Sequence, residues 1–157
     1  MTVRRQKIMR RDSHGLAAVE MAIVLPIVML LVLPIGEVGR AFIQYSRLSH
    51  RVQVGARFVA DNAYQGSTGI PSLTNTVRAQ ARNLVVYGTT AGVGTPAVPS
   101  LTPALINVSV SPAGIVRVWV DYPYQSVVGG VLPMFGLGSD IVTGTLVLRP
   151  SSTMRAL

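Results

Sequence analysis

Between Leu16 and Ile35 the chain reads LAAVEMAIVLPIVMLLVLPI, twenty residues with one ionisable side chain, Glu20. As a helix, twenty residues rise about 30 Å, the thickness of the hydrocarbon core of a bilayer. Twelve of the twenty are Leu, Ile or Val. Together they favour insertion by roughly 4 to 7 kcal/mol, while a carboxylate opposes it by about 2.5 to 3.5 at a helix centre and by less near an end, where Glu20 lies. Residues 16–36 are therefore expected to span a membrane. Pro26 and Pro34 would break a soluble helix, but a spanning helix tolerates proline where neighbouring groups satisfy the freed carbonyls. Charged residues make up 13% of the chain, well below the roughly 25% of ordinary soluble domains, which agrees with a segment not meant for water.

Arg4, Arg5, Lys7, Arg10 and Arg11 precede the apolar run and account for much of the formal charge of +8. A basic stretch before an apolar one also begins a secretory signal peptide, but this run exceeds the usual 7 to 15 residues and no A-x-A site follows it. Lys and Arg number five in residues 1–15 against two, Arg40 and Arg47, in residues 36–50. That excess predicts a cytoplasmic N-terminus and an exported remainder. The basic cluster has no interleaved aromatics and sits where topology alone requires positive charge, so no nucleic-acid partner is expected.

Beyond the span, Val38, Phe42, Tyr45, Ser49, Val52, Ala56 and Val59 recur at alternating intervals of four and three, predicting a helix extension over 37–65 packed along that stripe. Arg40, Arg47, Arg51 and Arg57 fall off the stripe and read as a solvated face. Turn signals at Gly66, Gly69 and Pro71 end the element. A second helix is predicted from Ser72, as N-cap, to Tyr87, with Val77, Ala81 and Leu84 as its apolar face and Gly88 past its end. Residues 88–103 carry three glycines, three prolines and no charge and read as a flexible, extended loop. Period-2 runs at Ile106, Val108, Val110 and at Val116, Val118, Val120, separated by Ser111-Pro112-Ala113-Gly114, form a hairpin. A third strand is predicted over Ile141–Leu148, after an apolar, glycine-rich stretch from Val127 to Gly138 that would lie over the sheet. The expected fold class is α+β: a long N-terminal transmembrane helix extending into a small exported domain, 66–157, with a short helix and a three-stranded antiparallel sheet.

Catalytic signatures are lacking. There is no G-x-S-x-G, P-loop or H-E-x-x-H, and Gly92-Val93-Gly94 and Gly136-Leu137-Gly138 lack the further glycine and the strand-to-helix setting of a nucleotide fingerprint. With no cysteine and only His14 and His50, a structural zinc site, a disulfide scaffold and a thiol nucleophile are excluded. No cofactor, metal or enzymatic activity is expected.

The junction Asp12-Ser13-His14-Gly15, followed by Leu16-Ala17-Ala18-Val19-Glu20, looks like a class III signal. Together with Pro26, Gly36-Glu37-Val38-Gly39-Arg40, Gly55-Ala56-Arg57, Asp121-Tyr122-Pro123-Tyr124 and Ser152-Thr153-Met154-Arg155, it resembles the TadE-like pseudopilins of bacterial tight-adherence (Tad, or Flp) pili. The segment His50-Arg51-Val52-Gln53-Val54 departs from the alanine- and arginine-rich stretch more common there. The resemblance implies a pilin-like fold and a minor pilin needed to assemble a type IV-like pilus, of the kind used in adhesion and secretion, rather than to form its bulk. It implies cleavage of a leader, residues 1–15, between Gly15 and Leu16 by a prepilin peptidase, with Glu20 left as the fifth residue and engaged in subunit assembly. It further implies residence in the bacterial inner membrane with a periplasmic domain, and other pilin-like subunits and the pilus assembly platform as partners. Glu37 and Arg40, three residues apart at the membrane exit, are candidates for an ion pair that staples the helix or contacts a second subunit. The competing reading is an uncleaved single-pass protein whose periplasmic domain binds a ligand or surface.

Overall fold

The computed structural model describes residues 14–64, 72–127, 131–132, 141–142 and 146–156. The basic leader up to Ser13, the turn signals at Gly66, Gly69 and Pro71, and most of the apolar stretch after Val127 lie outside the described residues. Helix α1 runs His14–Asp61 and α2 Asn75–Tyr87, followed by a 3-10 turn at Pro103–Leu105. Strands follow as β1 (Ile106–Val110), β2 (Ile115–Val120), β3 (Tyr122–Pro123), β4 (Val131–Leu132), β5 (Ile141–Val142), β6 (Val147–Leu148) and β7 (Ser151–Arg155). The fold class is α+β. The chain divides into two compact units, residues 1–36 and 37–157.

In the first unit, α1 carries the predicted apolar run. An 18-residue window of this helix reaches a mean hydropathy of 2.7 with no residue buried, so by length and composition it can cross a membrane. Leu16, Ile23, Leu31 and Ile35 are among its exposed side chains.

The second unit is built on a three-stranded antiparallel sheet of order β1-β2-β7. The hairpin forms as predicted, with Val108 opposite Val118 and Val110 opposite Val116. Its turn closes through Ser111 N–H donating to Ile115 O at 2.8 Å, and Gly114 takes φ +74° there, a backbone region that disfavours a Cβ. Ile106, Val108, Val116, Val118 and Val120 are buried on one face of the sheet, whereas Ile115 is exposed. Arg117 lies over the Trp119 ring at 5.4 Å from its centroid.

The third strand differs from expectation. The run Ile141–Leu148 does not add to the sheet: Ile141–Val142 pairs with Val131–Leu132, and Val147–Leu148 pairs with Pro123–Tyr122. The free edge of β2 is taken by β7, with Met154 opposite Val116 and Ser152 opposite Val118. Backbone pairing is indifferent to side-chain polarity, and β7 has no fully buried residue, so an edge strand forms without a hydrophobic alternation to announce it.

Against the sheet pack α2 and the described C-terminal half of α1. The α2 face is Val77, Ala81, Val85 and Val86, with Leu84 only half-buried at its margin. Thr74, not Ser72, is its N-cap, and Gly88, in the left-handed conformation at φ +78°, closes it by donating its N–H to Leu84 O at 2.9 Å. From α1 come Leu48, Val52, Ala56 and Val59, all fully buried. Gly55 permits the close approach of the two helices, because a Cβ there would collide with Val85 Cγ2. The segment 88–102 is irregular, yet it supplies Val98 and Leu101 to the same core.

The upper half of the predicted α1 stripe is displaced. Val38 and Phe42 are 69% and 71% exposed, and Tyr45 is exposed too. The inward positions are Glu37, Gln44 and Leu48, with Ala41 half-buried between them. The true stripe lies one residue, about 100°, around the helix from the apolar one, and it meets the predicted stripe only from Val52 onward.

Candidate functional site

Gly15 and Leu16 lie in the first turn of α1, where amide groups lack intrahelical acceptors. Nothing approaches within 4 Å of where a Gly15 Cβ would be, and Leu16 is exposed. Glu20 is one turn further on and exposed, on the same face as Leu16 by its i,i+4 spacing. A carboxylate on an otherwise apolar helix is a group whose partner must come from elsewhere or from the leader side of the same turn.

Glu37 is the other acidic residue of α1 short of Asp61, and its setting is opposite in kind. It is buried. Its Oε1 accepts hydrogen bonds from the Tyr124 hydroxyl at 2.9 Å and from the Val127 N–H at 3.0 Å, and the same hydroxyl lies 3.3 Å from the Glu37 carbonyl oxygen. A carboxylate removed from water is costly unless donors replace the lost hydration, and here two converge on one oxygen. Burial pushes the carboxyl pKa up. The Ser126 and Tyr124 hydroxyls, the Val127 amide and, least of these, the Arg40 guanidinium outweigh that and hold it below the usual carboxylate range. Ser126 Oγ is itself buried without a formed hydrogen bond, so it acts as a nearby dipole rather than a bonded donor. Tyr124 responds in the opposite sense: burial, then its bond to the Glu37 carboxylate, raise its hydroxyl pKa.

The expected Glu37–Arg40 ion pair does not form. Among the described residues the ion pair present is Arg149 Nε with Asp121 Oδ1 at 2.9 Å, at the surface. Glu37 turns inward to donors that lie 87 and 90 residues away in sequence, while Arg40 remains exposed one turn along. Sequence reasoning thus singled out Glu37 but not its partners. Tyr124 belongs to the Asp121-Tyr122-Pro123-Tyr124 segment, and the Tyr122 hydroxyl likewise finds a main-chain acceptor, Pro99 O at 2.8 Å. Two buried tyrosines separated by a proline were the available signal that this segment carries polar ties into the core.

No group of three or more His, Asp or Glu side chains capable of holding a metal occurs among the described residues. Taken together, the described residues make an α+β protein with one long apolar N-terminal helix among them, the kind of helix that serves as membrane anchor or signal. Residues 15–57 match the family model described as TadE-like protein. No curated protein and no solved structure gives a significant match to the chain.

Proposed function

We propose that the protein is a minor pilin or pseudopilin required for building a Tad (Flp) pilus. In this reading a prepilin peptidase cuts between Gly15 and Leu16, the helix over residues 16–36 holds the mature chain in the bacterial inner membrane, and residues 37–157 stand in the periplasm. The observation that carries the reading is where the family match falls. It opens at Gly15, at the glycine of the leader junction, takes in Glu20 and the whole apolar run, and closes at Arg57, the last residue of the Gly55-Ala56-Arg57 segment. The unburied apolar run supports it, because such a surface requires lipid or neighbouring helices to cover it. So do Val38 and Phe42, exposed on α1 and available to pilin-like partners.

The test is the intact mass, or the N-terminal sequence, of the protein recovered from its own host. Cleavage removes five basic residues and one acidic, taking the formal charge from +8 to +4, and leaves Leu16 first. Gly15→Trp is expected to accumulate only the precursor. Recovery of the full-length chain from wild-type cells that express the peptidase overturns the proposal and favours an uncleaved single-pass protein.

A further inference from the structure

The elements packed along α1 from Glu37 onward meet the helix at successive heights. Residues 124–127 meet it at Glu37, through the Tyr124 hydroxyl and the Val127 N–H. Val98 and Pro99 border it between Arg40 and Arg47, Gly88 lies against Arg51, and Val85 lies against Gly55. At 1.5 Å per residue these contacts climb about 27 Å from Glu37 to Gly55. The base of the second unit is therefore the stretch from Tyr124 to Val127. Leu146 lies beside it, its carbonyl accepting from Tyr124 N–H at 2.8 Å, and Val147 follows, paired with Pro123.

Away from α1, the described residues leave six large apolar side chains exposed: Tyr64, Val93, Ile115, Val127, Leu146 and Val147. A single one needs no explanation, but three of the six share the base, where Val127 is 60% exposed. Tyr122 and Leu148 of the β3–β6 ribbon are buried, so the alternation of the two strands turns Pro123 and Val147 outward together. Charge is sparse here. From residue 122 to residue 148 the sequence has one charged side chain, Asp140, and Glu37, the acid of α1 at this height, is turned inward and bonded. Arg40 is exposed four residues, about 6 Å, past Gly36.

Polarity thus changes in layers where the chain leaves its apolar run. The run ends, an apolar rim with its acid turned inward lies beside residue 37, and an arginine follows one turn on. A protein partner can dock at any height of the second unit, whereas a bilayer crossed by residues 16–36 can touch only the base. At the edge of the hydrocarbon, apolar side chains are covered by the upper acyl chains, and an arginine lays its stem along apolar surface while its head reaches lipid phosphate.

From this we infer that Val127, Leu146 and Val147 rest in the boundary between headgroups and acyl chains of a phospholipid bilayer, so that the second unit is seated on the membrane. The Glu37 bonds set the height of that seat, because they tie the base to the first residue past the span. The inference rests on the reading in which residues 16–36 cross the membrane, and the experiment separates the two.

The chain has no cysteine, so Val127→Cys, Leu146→Cys, Val93→Cys and Leu25→Cys each offer one thiol for an environment-sensitive fluorophore. The full-length chain is held one per nanodisc of phosphatidylethanolamine and phosphatidylglycerol, with and without nitroxide-labelled lipid. Val127 and Leu146 are exposed side chains, so their exchange leaves the core untouched, and the Val127 N–H is retained. Val93 is the matched control, a valine 73% exposed and tied through its carbonyl to Thr89, next to Gly88 and so near the height of Arg51, about 21 Å beyond Glu37. Nitroxide near the headgroups is expected to quench the Val127 and Leu146 probes about twofold more than the Val93 probe, as for groups seated at that boundary, and aqueous iodide to quench them less. If the Leu25 probe is quenched by lipid while those at Val127 and Leu146 match Val93, the inference is overturned and the span stands. If Leu25 is not quenched by lipid, the span is overturned and the inference with it. Shielding of Val127 and Leu146 from iodide without quenching by lipid would mark a surface covered by protein, which also overturns the inference.

Discussion

Glu37 ties two parts of the second unit that are far apart in sequence, and the worth of that tie can be worked out from its geometry. Glu37→Gln preserves shape and one acceptor oxygen but removes the charge. The bonds from Tyr124 Oη at 2.9 Å and Val127 N at 3.0 Å both end on one carboxylate oxygen. Bonds to a charged acceptor contribute about 1.5 to 3 kcal/mol and neutral ones about 0.5 to 1.5, so the two bonds together weaken by roughly 2 kcal/mol. Relief of the carboxylate's desolvation returns part of this, leaving a net loss of about 1 kcal/mol. Glu37→Ala leaves the Val127 N–H unpaired, at about 1 to 3 kcal/mol, while the Tyr124 hydroxyl keeps the residue-37 carbonyl as an acceptor at 3.3 Å. After the same relief, its net loss is about 1 to 2 kcal/mol, or roughly 3 to 8 °C in melting temperature for a domain of this size.

The pH dependence has a definite sign. The folded carboxyl is held below its ordinary value of 4.5, so its contribution is fully present above that value and is lost as pH falls through the depressed one. The gap between wild type and Glu37→Gln should hold from neutrality to about pH 4.5 and close below it. Trp119 is the single tryptophan and sits in the central strand β2, so its fluorescence reports unfolding of the second unit in the full-length chain in detergent. Combining Glu37→Gln with Tyr124→Phe should show a coupling of about 0.5 kcal/mol or more. If Glu37→Gln melts with wild type at neutral pH, or the gap persists unchanged in acid, the buried charged acceptor is not what holds residues 124–127 to α1.

Gly55→Val should destabilise the same unit by about 1 to 3 kcal/mol, because the new side chain enters the space of Val85, which is fully buried and cannot withdraw; chemical unfolding followed by Trp119 measures it, and wild-type stability would refute close helix packing at that point. Glu20→Ala should insert into membranes as well as wild type or better, since a carboxylate near a spanning helix end opposes insertion, while cross-linking to pilin-like partners and pilus formation are lost. Normal pili and normal cross-links in that variant would remove the assembly role proposed for Glu20.

How far the sequence could be read depends on whether a residue's burial follows from its own polarity. In the hairpin it does: Val116, Val118 and Val120 are apolar, alternate and are buried, so a period-2 count finds both strands. Helix α2 is nearly as transparent, since Val77 and Ala81 face the core and Gly88 ends it, although Val85 and Val86 displace Leu84. The strand β7 is opaque for a different reason. Its ladder to β2 is made of main-chain groups, and Ser151-Ser152-Thr153 carries no pattern that distinguishes a paired edge from a loop.

The α1 extension shows the rule failing on one element. From Val52 to Val59 the inward side chains are apolar and the expected stripe is correct. Between Glu37 and Gln44 the helix turns polar residues inward and leaves Val38 and Phe42 outside. Glu37 goes inward because Tyr124 and Val127 meet it there, and no periodicity within the helix encodes donors 87 and 90 residues away. The same inversion places Gln44 inside with an unmet acceptor and puts aromatic and aliphatic side chains on the outer face. On a solitary soluble helix such an arrangement would be a defect. On a chain whose helix is expected to lie beside lipid and other pilin-like helices, polar residues inward and apolar residues outward are what an interaction surface requires, so the point where the hydrophobic pattern misleads about folding is also where it points to assembly.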